Sequence, residues 1–413
     1  MKAIYELALR CILIFVLLFI ISVPFEYYYF PNLGLLTSGF FELITQWIGD
    51  NYFEENKKYT HEIISDSTGM YIHVLVLAAI SFFAGIASLL INIQTATKEK
   101  INYWFGVAAS YFLSLQLFKY GFDKIFKHQF YLPEPNTVYT PLGYLSPDIL
   151  YWSTIGSSHL YSVFCGVIEI IPAALLLFKR TRSLGAIIAM FVLLNVVMIN
   201  LGFDISVKIF SCFLLLLSIL IAAPSLKAIF KILVLQRAVN TLQLQPAMEI
   251  KSKQILFGLI KLVVITAILF ESTFIYFKAK NFNDDKAQRP YLHGAYSVDL
   301  FIRNGDTIPP LLTDVGRLKK IFIHRQGYFI TQNMNDEMSD YQLNYDYTNK
   351  RLILMGYDKI KIIFDYNYSE KDSVLKLSAV VNHDTIKIET KKINIKTLPL
   401  FQKNIHWTID DYN

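Results

Sequence analysis

Apolar residues run in seven long stretches, at about 5–25, 70–93, 102–121, 158–178, 184–201, 207–224 and 254–277, each long enough to cross roughly 30 Å of hydrocarbon as a helix. The first ends at Ile21-Ser22-Val23-Pro24 without a small-x-small cleavage site and runs on into Phe25 to Phe30, so it reads as a retained anchor. An amphipathic helix is predicted at Leu36 to Trp47, lying in the interfacial layer. The stretch 122–157 carries Pro133, Pro135, Pro141, Gly143 and Pro147 among aromatic residues and reads as an ordered or partly re-entrant cap. Past residue 290 the period changes to two. Ile360, Ile362, Phe364, Tyr366 and Tyr368 fall on one face, and Leu375, Leu377, Ala379 and Val381 repeat the pattern after a turn. Further strands are predicted at 318–324, 327–332, 341–347, 351–355 and 385–389, with a turn at Asn382-His383-Asp384. The fold class is therefore a polytopic α-helical membrane bundle of seven spans followed by an antiparallel β barrel or curved sheet. A transmembrane domain covers 1–278, a linker 279–289 and a β domain 290–413.

Composition and charge sharpen this picture. With 54% apolar and 17% charged residues the chain needs either a very large core or lipid. Lys98 and Lys100, then Lys179, Arg180 and Arg182, then Lys227, Lys231, Arg237, Lys251 and Lys253 fill alternate connections, as cytoplasmic loops should be filled. Residues 42–66 are acidic, with Glu42, Asp50, Glu54, Glu55, Glu62 and Asp66. Seven crossings in this sense place the N-terminus in the cytoplasm of a bacterial inner membrane and the C-terminal domain in the periplasm. The net charge of +6 builds no face for nucleic acid. The three cysteines form no CxxC pair, and His73, His128 and His159 have no metal-site spacing. No GxGxxG, P-loop, HExxH or GxSxG is present.

Ionisable residues within apolar stretches are the strongest functional signals, because burying them unpaired is costly. Arg10 and Glu169 are two such residues; Glu169 calls for Arg10 or a lysine as partner, either as a substrate or proton site or as a helix-association device. A second set gathers at span ends: Lys119, Asp123, Lys124, Lys127 and His128, with His73, His159, Asp204 and Lys208. Lys119 with Asp123 and Asp204 with Lys208 are each four apart on a helix face. Such a rim suits an anionic headgroup, a quinone oxygen or a peptide carboxylate, or equally an interfacial ion-pair belt. Ser67 or Thr68 is placed to cap the second span. Gly106, Gly166 and Gly185 can permit close helix approach. In the β domain Asp306 and Asp314 lie in a compact polar segment that turns and strand caps also explain, and Trp407 stands where it could plug a barrel.

The segment Lys119-Tyr120-Gly121-Phe122-Asp123-Lys124-Ile125-Phe126, with Gly166-Val167-Ile168-Glu169-Ile170, Lys179 to Arg182 and Leu184-Gly185, resembles the DoxX-like membrane family over roughly 102–223. That resemblance implies a four-helix core. With Asn304 to Asp314 and His406-Trp407 the whole chain looks like the longer DoxX-like proteins of Bacteroidetes-type bacteria. Some DoxX-like proteins accompany quinone-linked sulfur oxidation, but the chain has no redox cysteine pair. The expectation is a non-enzymatic inner-membrane subunit that binds an envelope protein or a lipid through its periplasmic domain. The alternative is an integral-membrane oxidoreductase or lipid-modifying enzyme using Lys119, Asp123, His159, Asp204 and Lys208. No cofactor is required by either reading, though a quinone or lipid is compatible with both.

Overall fold

The structure, a computed structural model, describes residues 2–23, 25, 27–55, 57–60, 65–91, 94–238, 251–314, 316–381 and 383–402. Pro24, Glu62, Asn382 and the terminal Ile405, His406 and Trp407 lie outside the described residues. The chain divides into two compact units, one of residues 1–129 with 160–282 and one of 130–159 with 283–413.

The helices, in chain order, are α1 (Lys2–Ser22), α2 (Leu33–Tyr52), α3 (Thr68–Ser88), α4 (Thr95–Ile125), α5 (Pro135–Tyr139), α6 (Pro147–Ser157), α7 (His159–Leu176), α8 (Arg182–Gly202), α9 (Lys208–Leu233) and α10 (Lys251–Ala279). Among the described residues six helices are long and apolar enough to cross a membrane, not seven. The expected span at 102–121 is the exception. It forms the middle of α4, but that helix also carries Lys98, Glu99, Lys100, Gln116, Lys119, Asp123 and Lys124, and its mixed polarity falls short of a lipid-facing segment. An even number of crossings returns a chain to its starting side, so the crossing count no longer separates the two termini.

In the helical unit, Val16, Phe19, Leu77, Leu113, Leu117, Leu176, Ala189 and Leu217 form one buried core. Leu75, Phe83, Phe191, Leu262 and Val263 face outward and are exposed, as a helix surface solvated by lipid requires. Helix α2 buries Phe41, Thr45 and Gly49 while Leu36, Phe40, Leu43 and Trp47 are exposed. Ser67 caps α3 by accepting a hydrogen bond from the Met70 N–H at 3.2 Å.

Two glycines set the closest helix approach. A Cβ on Gly166 of α7 would stand 2.5 Å from the Gly121 carbonyl oxygen and 3.0 Å from the Ile125 nitrogen, both backbone atoms of α4. Gly185 of α8 similarly meets α7 backbone, whereas Gly106 faces open space and makes no such approach. Backbone cannot rotate away, so Gly166→Ala must push α4 and α7 apart. We expect it to cost about 1–3 kcal/mol, read as a lowered thermal midpoint of the detergent-solubilised protein. An unchanged midpoint would mean that the helices separate freely.

The second unit is built on β1 (Gly294–Arg303), β2 (Asp306–Thr307), β3 (Leu318–Ile323), β4 (Tyr328–Asn333), β5 (Met338–Asp346), β6 (Arg351–Met355), β7 (Lys361–Ser369), β8 (Val374–Val381) and β9 (Asp384–Ile393). Strands β3 to β9 form an antiparallel meander, β1 pairs with β3, and β1 also pairs with β9 from Ala295↔Ile393 to Arg303↔Ile386. That last pairing closes an eight-stranded barrel, with β2 as a short addition on β1. Closure removes the free edges that an open sheet would expose. Tyr296, Phe301, Ile321, Ile323, Phe329, Leu352, Leu375 and Leu377 pack together in the core, and β7 and β8 alternate between buried and exposed as their sequence predicts. Residues 130–159 pack on the barrel: Tyr139 of α5 stacks on Phe322 with ring centroids 5.9 Å apart, and the Tyr139 carbonyl accepts from Gln332 Nε2 at 3.3 Å. The expected ordered cap is thus a pair of short helices, α5 and α6, joined through a single turn at Leu142–Tyr144.

Candidate functional site

In the helical unit the sequence-predicted charges each find a different partner. Arg10 pairs with Glu6 on its own helix at 2.7 Å and donates to the Ser88 carbonyl and hydroxyl, while Lys98 also reaches Glu6. Arg10 is therefore engaged at the start of the bundle. The partner of Glu169 is Lys124, whose Nζ donates to Glu169 Oε2 at 2.8 Å with both side chains buried. Ser162 donates to the Lys124 carbonyl at 2.8 Å. One residue away, Asp123 accepts from the Tyr276 hydroxyl at 2.5 Å, and His128 Nε2 lies 3.0 Å from the Asn281 carbonyl. Lys119 sits over the Tyr27 ring at 5.2 Å. Lys208 bridges Asp204 at 2.7 Å and Asp66 at 3.5 Å, and Asp66 accepts from the backbone N–H groups of Lys208 and Ile209, capping α9. His73 is fully buried, with Nε2 2.9 Å from Ser22 Oγ and its ring edge-on to Phe41.

One residue in this unit escaped the sequence reading. Glu271 is a buried carboxylate in α10 that accepts from the backbone N–H groups of Tyr28 and Tyr29 at 2.6 and 2.8 Å. It fixes the chain between α1 and α2. A single acid within an otherwise apolar helix was the available signal.

The second unit contains a different kind of site. A cleft of about 1000 Å³ is lined by Glu134, His159, Asp285, Lys286, Arg289, His293, Lys392 and Lys396, with Leu132, Pro133, Ile393, Ile395 and Phe401 supplying an apolar wall. Its two carboxylates have different neighbours. Glu134 has His293 Nε2 at 2.9 Å, the Arg325 guanidinium on its other oxygen and His324 Nε2 at 3.8 Å. Arg325 also donates to Asp284 at 2.7 Å, and Asp284 in turn accepts from Arg289 at 3.0 Å. Asp285 lies 3.6 Å from His159 Nδ1. Among the described residues Lys286, Lys392 and Lys396 form no ion pair, so the cleft carries excess positive charge.

Burial opposes ionisation of Glu134, but the hydrogen bond from His293 and the Arg325 charge outweigh it and hold the carboxyl down at about 2. Burial likewise resists charging of His324, and the nearby Glu134 offsets this only in part, so its imidazole lies below the usual range. Burial also pushes the Lys392 ammonium down; Lys392 stands over the Tyr296 ring at 5.7 Å.

Of the residues predicted in the β domain, Asp306 lies exposed in β2, and Asp314 Oδ1 accepts from the Gly316 N–H at 3.0 Å within a turn. Among the described residues no group of three or more His, Cys, Asp or Glu is arranged to hold a metal ion.

Comparison with known proteins supplies one relative. The chain is 34% identical over 119 residues to a Bacillus subtilis (strain 168) protein described as "Uncharacterized protein YwoB", a match covering 27% of this chain and 70% of that protein. The chain belongs to the YwoB family. Membership brings no activity with it, since that relative is itself uncharacterized. No family model matches the chain, and no solved structure matches it significantly. The DoxX-like resemblance therefore rests on the residues that suggested it.

Proposed function

We propose that this YwoB-family protein is a non-enzymatic inner-membrane subunit whose barrel unit binds an anionic ligand on the periplasmic side. The observation that supports it is the cleft, where lysines that form no ion pair among the described residues line the same space as a carboxylate, Glu134, held by His293 and Arg325. With Glu134 already countered by Arg325, the lysine charge of the cleft can attract an anion. What supports the sidedness is the approach to α10: Lys227, Lys231, Arg237, Lys251 and Lys253 precede it, and the preference of basic residues for the cytoplasmic side favours a periplasmic barrel after that helix. The helices from 102 to 223 would form the DoxX-like core, and the exposed barrel surface would meet an envelope protein partner.

The test uses the full chain in detergent and hydrogen exchange of residues 283–296 and 385–402. We expect saturating inorganic phosphate to slow exchange there, less so as salt rises, and Lys286→Gln with Lys396→Gln to remove the effect. No slowing with phosphate and none with any other anion would overturn the reading.

A second reading has one specific observation behind it. Asp285 Oδ2 stands 3.6 Å from His159 Nδ1 at the cleft, an ion-pair distance from which a small closure would let the carboxylate orient the imidazole for proton transfer. On that reading the protein is a lipid-modifying enzyme, and His159→Asn would abolish turnover.

A further inference from the structure

Resting on the anion-binding reading, we infer that the anion is the phosphate of a membrane lipid headgroup, taken from the bilayer surface rather than from solution. Chain connectivity keeps parts of the cleft lining within a few residues of membrane-crossing helices. His159 is the first residue of α7, a membrane-crossing helix, and Asn283, Asp285 and Lys286 follow the end of α10 at Ala279 by four, six and seven residues. Four extended residues reach at most about 14 Å, enough to cross a headgroup layer of roughly 5–8 Å. Exposed aromatic residues mark both helix ends: Tyr161 and Phe164 at the start of α7, and Phe277 and Phe282 at the end of α10. Aromatic side chains of this kind settle at the membrane interface.

The lining matches the chemistry of a lipid head. Lys286, Lys392 and Lys396 offer charge to a phosphate, and Ser373 and Asn394 line the same space as neutral polar residues. Leu132, Pro133, Ile393, Ile395 and Phe401 form an apolar wall that a bare phosphate would leave uncovered but the glycerol and first acyl carbons of a lipid would cover. The volume of about 1000 Å³ stands at the upper end of the roughly 300–1,000 Å³ of small-molecule sites, far beyond what inorganic phosphate fills. A phosphate on a glycerol stem is the shared chemistry of a lipid and a free phosphate ester, and the apolar wall selects the lipid.

The experiment reconstitutes the full chain in nanodiscs of phosphatidylcholine alone, of phosphatidylcholine with phosphatidylglycerol, and of phosphatidylcholine with saturating inorganic phosphate in solution. Hydrogen exchange of residues 283–296 and 385–402 is read in each. Phosphatidylglycerol is expected to slow exchange in both segments and phosphatidylcholine alone is not. Lys286→Gln with Lys396→Gln, two exposed lysines, should weaken phosphatidylglycerol retention in native mass spectra by between about tenfold and thirtyfold. Slowing by phosphate but not by phosphatidylglycerol would overturn the lipid source and leave the anion-binding reading standing. Equal slowing by both lipids would overturn selection of an anionic headgroup. No slowing in any arm would overturn both readings.

Discussion

Replacing Glu169 by alanine is expected to destabilise the helical unit by about 3–5 kcal/mol, the usual result of removing one partner from a buried ion pair. Lys124 Nζ and Glu169 Oε2 are 2.8 Å apart, with side-chain exposures of 9% and 6%. Removing the carboxylate leaves the ammonium in the packed interior of α4 and α7 without its countercharge. The companion variant separates that cost from the value of the pair itself. Lys124→Met combined with Glu169→Leu removes both charges while keeping volume, and buried pairs exchanged in this way are often neutral or even stabilising. Thermal unfolding of the full chain in one detergent compares the three proteins. If the double variant unfolds near wild type while Glu169→Ala falls far below it, the pair is a structural clasp between two helices. If the double variant is as unstable as the single, the two residues hold the bundle through contacts other than their mutual charge. Lys124→Met alone should resemble Glu169→Ala, because either leaves one buried charge.

How much of this was legible depends on how far apart in sequence the cooperating residues stand. Six helices were readable because a lipid-facing segment must be predominantly apolar over about 20 residues, and α1, α3, α7, α8, α9 and α10 are. The segment 102–121 has the length and much of the apolarity, but its faces contact protein: Leu113, Ser114 and Leu117 are buried, and Ser114 donates to the Ala173 carbonyl at 2.7 Å. Hydropathy alone does not distinguish those two environments. Strands β7 and β8 followed from clean alternation, whereas β1 was missed. Its register shifts between Val298 and Leu300, and this breaks the period of two in the strand that closes the barrel. A lysine as one candidate partner for Glu169 was foreseeable, because an acid in an apolar helix must be answered. The Glu134 cluster was not. His293, His324 and Arg325 lie 159 to 191 residues beyond Glu134, which itself stands in a stretch that resembles any other proline-rich connection until the barrel folds beside it.

Acidification should loosen residues 130–159 from the barrel, and Glu134 should be the main cause. Its carboxyl is held at about 2 against an ordinary value of 4.5, so the folded unit binds the proton less readily than the unfolded chain. A depressed carboxylate contributes stability that is complete above the ordinary value and is lost as pH falls through the folded one. The window is therefore from about 4.5 down to about 2, and the contribution across it is roughly 3 kcal/mol. His324 acts in the same direction: burial lowers its pKa, so its protonation as pH falls also favours the opened form. Glu134→Gln at neutral pH should reproduce most of the loss, because the amide retains a carbonyl acceptor but gives up its charge to Arg325. Hydrogen exchange of residues 130–159 against pH reads both effects. Wild type should lose protection steeply across that window, while the variant should begin less protected and change less. Parallel profiles would show that the charge on Glu134 is not what holds the segment. Because Arg325 joins Glu134 to Asp284, and Asp284 joins Arg289 at the cleft wall, the same variant should also weaken phosphate binding there. Loss of protection without loss of binding would separate the latch from the cleft.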